Sequence, residues 1–543
     1  MKALALGAAV LAATLVATTP VHGQHQHDAG APPQRLGKVH FETSCAAGAQ
    51  ADFDRAIALL HSFWFSAAID SFNAVLAKDA TCGMAHWGIA MSWWGNPFAG
   101  GKSPKSIAEG TAAVARAKAA GAKTPREQDY IAAVALLFED ADKVDQRTRV
   151  VAYEKAMERI AATYPADSEA RLFYALSLEQ SQLPTDKTYA NLLKAGAILE
   201  REFVKQPDHP GIAHYIIHGY DVPALAPKAL DAARRYAKIA PDAPHALHMP
   251  SHTFTRLGLW QESIETNIAS AAAARHDPTG ASEELHAIDY QVYAYLQLAK
   301  DAAAKKVLDE LTAIGSRILV NTAGAAAPAP AGYYALAAVP ARYAIERNQW
   351  KEAAALQPRD TPFLFPDAIS YYARALGAAR SGNPAAVAKD AEKLAAIRDA
   401  LKGKGDPYWP GQVEIMRRVV LAWATYAEGR KEEALTALRE TADMEDGTEK
   451  SAISPGPMKP ARELLGEMLL DAGRAADALA EFEQSMKKEP GRFAGLYNAA
   501  RAADAAGDRT KARRYYAQLA AMCKTADTPV RPELASARKA AGS

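Results

Sequence analysis

Three cysteines in 543 residues are too few for a disulfide framework or a four-cysteine zinc site. No CxxC redox pair is present either. Charge of one sign is also missing: Lys+Arg 63 stand against Asp+Glu 62. That excludes binding to nucleic acid or anionic membranes driven by bulk charge. After the amino-terminal segment no run reaches ~18 uninterrupted apolar residues, so no later membrane span is expected. HExxH, Walker, GxGxxG and GxSxG patterns are absent, leaving metalloprotease, nucleotide and serine-hydrolase chemistry without a signal. β-branched runs are scarce, and long Ala/Glu/Lys/Arg/Leu stretches take their place. An apolar fraction of 49% with 23% charged residues excludes wholesale disorder. Those abundant residues are helix formers, which makes the expected class all-α.

Residues 1–23 read as a signal peptide. Lys2 supplies the positive end, Ala3 to Ala17 the apolar run, and Val21-His22-Gly23 a small-x-small cleavage site. The expected product is a soluble periplasmic or secreted chain starting at Gln24, the alternative being a retained amino-terminal anchor. Residues 24–39 form a His- and Pro-containing tether. His25 and His27 near a free amino end can bind copper or nickel, or simply belong to a mobile polar tail. In an oxidising compartment Cys45 and Cys82, 37 positions apart, would bridge the first helical hairpin. Loop entropy puts that bridge at roughly 3–4 kcal/mol. Cys523 would stay free.

The carboxyl-terminal part shows an internal repeat. Gly473 and Gly507, Ala478 and Ala512, and Phe482 and Tyr516 are each 34 apart. Leu465, Gly466 and Leu469 fall on the first helix of one unit, Ala478 and Phe482 on the second, and Pro490 closes it. This resembles the tetratricopeptide (TPR) repeat, a 34-residue helix–turn–helix unit with small residues where helices cross. Weaker copies precede it, with Ala68 and Phe72 in packing positions and turns at Leu257 to Trp260 and Arg347 to Trp350. Ser454-Pro455-Gly456-Pro457 lies in a ten-residue insertion between units. The expectation is an α-solenoid of nine or ten helical pairs, with arrays over 40–320 and 333–543 and a hinge at 321–332. The resemblance implies a superhelix with a concave groove for a peptide or protein partner. It leaves function open.

The histidines are the informative feature. Pro207 to His218 and Pro241 to His252 both read PDxPxxxHxxxH, in register at 34 residues. Asp208 and Asp242 are expected N-caps, with Pro210 and Pro244 in the first turn. His214 and His218, and likewise His248 and His252, stand four apart on one helical face. First helices pack ~8–10 Å apart, so all four rings are expected to share a metal at ~2.0–2.1 Å as a two-by-two array. His286 lies 34 beyond His252, with Asp289 three further along the same face. His245, Asp221, Arg256, Tyr215, Tyr290 and His61 are candidate groove residues, whereas His86 reads as core. Pro250 inside a helix should kink it beside His248 and His252.

The histidine-bearing units resemble those of secreted bacterial TPR proteins with HxxxH repeats, a likeness that supplies fold and no reaction. Imidazole with a carboxylate suits zinc, copper, nickel or iron. Three readings follow: a metal-binding scaffold, a metal-dependent enzyme on the same site, and a metal-free adaptor of the cell envelope. Packing alone would also account for helical histidines.

Overall fold

A computed structural model describes residues 34–320, 323 and 326–542. The expected signal peptide, and the tether as far as residue 33, lie outside the described residues. Those described form 26 α-helices and three short 3-10 turns, with no strand among them. That exceeds nine or ten pairs, with Pro244–His248 and Pro250–Arg256 counted separately across Met249. Consecutive helices pack on each other along the chain, as expected of a TPR-like α-solenoid. No described helix is long and apolar enough to cross a membrane.

Two of the small-residue positions show why the units close. A Cβ on Gly466 would come within 2.7 Å of the Phe482 ring, and one on Gly88 within 2.1 Å of Phe72. Only a missing side chain lets those helices approach so closely. Cys45 and Cys82 are bridged, and Cys523 is free and buried. Burial pushes the Cys523 thiol up to about 12, which leaves it inert at neutral pH.

The winding also brings distant units together. Helix Gln50–His61 packs on Pro210–Gly219, and Ala281–Gln297 packs on both Ala329–Ile345 and Phe493–Ala505. Helix Ala281–Gln297 is buried over nearly its whole length. The Trp260 indole donates to Gly491 O, and the Phe493 amide donates to Gln297 Oε1. Buried apolar residues gather in two large clusters, one from Leu36 to Phe254 joined by Ala326, the other from Ala299 to Ala537. Smaller clusters around residues 260–339 lie between them. Residues Pro33–Ser543 form one compact unit. Within the expected hinge, the Ala327 amide donates to Glu283 and Ala326 O accepts from Asn96, so these two residues are pinned to the interior.

Residues 34–38 of the expected tether are likewise attached. Arg35 binds Asp242 through its backbone and its guanidinium, and Lys38 binds Asp208 at 2.8 Å. This corrects the capping assignment. The N-cap positions fall at His209 and Ala243, one residue later than the aspartates, whose carboxylates instead hold the incoming amino-terminal strand of chain.

Candidate metal centre

The paired histidines do not line an open groove. His214 and His248 are wholly buried, and His245, His252 and His286 are exposed by 4% or less. Covers on two sides account for this. Phe63 takes a left-handed backbone (φ 54°), a costly conformation for a bulky residue, and lays its ring 4.3 Å from that of His214. Phe98 stacks on His218 at 4.2 Å. On the other side the insertion around residues 448–457 folds over the second repeat. Lys450 reaches Asp221 at 2.6 Å, and Tyr290 donates to Ser454 O.

The expected two-by-two array is replaced by two triads. One ring nitrogen each from His214, His218 and His245 lies within 4.8 Å of the others, and the same holds for His248, His252 and His286. Ligands around one tetrahedral metal at 2.0–2.1 Å stand about 3.3 Å apart, so an inward shift would let either set of three hold one ion. The i,i+4 pairs are those read from the sequence. The chain supplies the third ring from the next helix but one in each case: His245 from Pro244–His248, beyond Leu230–Ile239, and His286 from Ala281–Gln297, beyond Trp260–Ala274. The helix break anticipated at Pro250 is present, with Met249 between Pro244–His248 and Pro250–Arg256. It falls between His248 and His252, whereas His245 and His248 share the helix before it.

Hydrogen bonds orient four of the six rings. His214 Nδ1 donates to His61 O at 2.6 Å, and His245 Nδ1 meets Glu283 Oε1 at 2.8 Å. The Nε2 atoms of His214, His218 and His245 are buried without a partner. In the second triad the Asn267 amide is oriented by its bond to Ser263 O, so its oxygen accepts from His248 Nδ1 at 2.7 Å. His252 Nδ1 donates to Asp221 Oδ2 at 2.8 Å. The two Nε2 atoms of His248 and His252 then face each other 3.1 Å apart, lone pair to lone pair. His286 Nδ1 also lacks a partner. Each buried polar atom left unmade costs about 1–3 kcal/mol, so three or four together rival the stability of a whole domain. A cation between the rings removes that cost, and oxygen acceptors behind metal-binding imidazoles are the usual outer-shell arrangement.

Electrostatics point the same way. Burial drives His214, His218, His245, His248 and His286 well below the ordinary imidazole value, and neighbouring rings add to the shift. His252 is lowered by burial too, with Asp221 opposing. All six rings are therefore neutral near pH 7, the form that binds metal. Burial works against ionisation of Asp221, but Lys450 and Arg256 outweigh it and hold the carboxyl well below its usual range.

The remaining candidates have other partners. Asp289, expected as a carboxylate ligand, forks onto buried Arg342 at 2.8 and 3.5 Å, which fixes it as an ion-pair partner away from the rings. Arg256 grips Asp221 at 2.9 Å, so both stand behind His252. Tyr290 packs on the His248 and His252 rings at 4.8 Å. His61 joins a third cluster with Glu169 and His209. There His61 Nε2 meets Glu169 at 2.8 Å, its Nδ1 meets the Tyr215 hydroxyl at 2.7 Å, and His209 Nε2 meets Glu169 at 2.9 Å. Both His61 nitrogens are engaged there, and only His209 Nδ1 lacks a partner. The cluster's effect on the site is indirect, because His61 O orients His214. His86, read as core, is only half-buried, with Nδ1 unpartnered. Sequence reasoning missed Glu169, His209 and Asn267; only His209, inside the PDxP run, had any local signal.

A cleft is lined among others by Arg256, Tyr334, Tyr408, Trp409, Glu449 and Lys450, and its Arg256 and Lys450 also hold Asp221 behind His252.

Fold and site together define an all-α, TPR-like solenoid with two histidine triads, buried except for half-buried His218. No protein-family model matches the chain, and no curated protein matches it in sequence. Among solved structures it is similar to the human IFIT1 dimer with m7Gppp-AAAA, at 12% identity over 82% of this chain and 90% of that one, with a TM-score of 0.39. A monomeric IFIT1 mutant with m7Gppp-AAAA is similar at 11% identity over 88% and 97%, with a TM-score of 0.37. Overlaps this loose say nothing of what this chain binds.

Proposed function

We propose that this chain is an exported TPR-like protein, periplasmic or secreted, that binds a transition metal through its interior histidines and acts in binding or scaffolding. The observation that carries the metal reading is the convergence of buried ring nitrogens, four of the six rings having their opposite nitrogen on an acceptor. The apolar amino-terminal run supports export, as does a Cys45–Cys82 bridge, since disulfides persist in oxidising compartments. Metal analysis of untagged protein tests it. At least one zinc, copper, nickel or iron per chain is expected, with a rise in melting temperature on metal addition. Less than ~0.2 metal per chain and no thermal shift would refute it. Replacing His218 or His252 by alanine should lower metal affinity about tenfold or more, since neither alanine nor water restores the lost bond.

A second reading, a metal-dependent enzyme, is favoured by the ligand count. Three protein ligands per ion leave a coordination position open, as catalytic sites do. A peptide or protein partner has the cleft beside Tyr408 and Trp409 to dock in. Capture of such a partner that survives EDTA would favour the metal-free adaptor role over both.

A further inference from the structure

We propose that the two triads are the halves of one dinuclear centre, and that copper is the metal it takes. This rests on the metal reading above and goes further in nuclearity and metal. The first ground is spacing. Ring centroids within the triads lie between 4.4 and 6.2 Å apart. Across the boundary His245 lies 5.7 Å from His248, and His218 lies 5.8 Å from His252. The six rings therefore form one continuous cluster, and ions held in its two halves are neighbours. Two-metal sites at about 3.5–4 Å share a small bridging ligand at their open positions.

The second ground is the ligand set. No carboxylate reaches either triad as a ligand. Asp221 is held by His252, Arg256 and Lys450, Glu283 by His245 and the Ala327 amide, and Asp289 by Arg342. Six neutral imidazoles must then hold two ions away from water. Two dications would bring four charges into this interior with Glu283 alone to offset them, because Lys450 and Arg256 already balance Asp221. Two cuprous ions bring half that charge, and imidazole is a good ligand for copper. The cupric form also heads the divalent affinity order, so the same rings retain it after oxidation.

The test uses the full-length mature protein. It is loaded with cuprous ion under anaerobic conditions, desalted, analysed for copper, then oxidised with ferricyanide and examined by electron paramagnetic resonance. Two coppers per chain are expected, with a spin count well below the copper count, because adjacent cupric ions couple. In His248→Ala/His252→Ala, checked for folding by circular dichroism, one copper per chain and a matching spin count are expected. Two coppers with full spin would overturn the dinuclear assignment, as would one copper in the unmodified chain, and both results would leave the metal reading standing. No copper, with one or more zinc ions bound, would overturn the proposal alone. No metal of any kind would overturn both. Should the double variant not fold, the spin count on the unmodified chain decides.

Discussion

Asp289→Asn separates two roles for one carboxylate. Asp289 and Arg342 are both buried, and Arg342 Nε donates to Asp289 Oδ1 at 2.8 Å. The same guanidinium donates to Pro457 O, Gly456 O and Ser454 Oγ at 3.0, 2.9 and 3.2 Å. It thereby ties the 454–457 insertion to helix Ala281–Gln297. Asparagine keeps an acceptor but removes the charge, leaving a guanidinium in the interior with neutral partners only. Breaking a buried pair from one side costs about 3–5 kcal/mol, and the retained carbonyl places this case near the lower end. Urea unfolding of variant and parent, with metal content measured on the same preparations, is the assay. A loss of about 3 kcal/mol with unchanged metal content is expected. Asp289→Leu combined with Arg342→Met should lose less than either change alone, because no unpaired charge is then left behind. An Asp289→Asn protein that unfolds like the parent but has lost its metal would refute this account and restore Asp289 as a ligand.

Three further outcomes are expected. Replacing Cys45 and Cys82 by alanine should cost roughly 3–4 kcal/mol through the freed 37-residue loop, and an unchanged unfolding midpoint would contradict it. Gly466→Ala should destabilise by about 1–3 kcal/mol through overpacking against Phe482; a neutral result in a thermal melt would mean the two helices can part freely. Without metal, the four rings of His214, His245, His248 and His286 are held below their ordinary value of 6.5 mainly by burial. The unfolded chain therefore takes up protons that the folded chain refuses once pH drops under about 6.5. Each ring then removes about 1.4 kcal/mol per pH unit, so metal-free protein should unfold steeply between about pH 6 and 5. Flat stability down to pH 4.5 in a pH-jump melt would show that the rings accept protons in place.

The repeat, the i,i+4 pairs and His286 were legible because they recur at 34 residues, and recurrence in a stacked fold is neighbourhood in space. The division into triads was not. It depends on where two rings of one short helix turn, His245 to Glu283 and His248 to Asn267, and both partners lie far along the chain. Asp289 was misread for a related reason. Position on a helical face places a carboxylate near the rings, but its partner, Arg342, stands 53 residues away on another helix. Glu169 is 108 residues from His61, with nothing near it to mark the pairing. Burial itself was hidden, since a concave face reads the same whether open or filled. Here the long-range closures by Phe63, Phe98 and the 448–457 insertion fill it.

That filling has a chemical consequence. An imidazole in an open groove binds a proton near pH 6.5 and competes poorly for metal in mild acid. The same ring behind Phe63 or Lys450 pays for its charge in lost solvation and stays neutral. Its Nδ1 hydrogen is spent on His61 O, Glu283, Asn267 or Asp221, so the free lone pair has one direction left in which to point. Burial alone would make these histidines a liability, because their unpaired nitrogens weaken the fold. Orientation without burial would give a weak, proton-sensitive ligand. Only the combination makes a cation the cheapest partner available. For that reason the acceptors behind the rings, Asn267 and Glu283 among them, are as much part of the centre as the histidines.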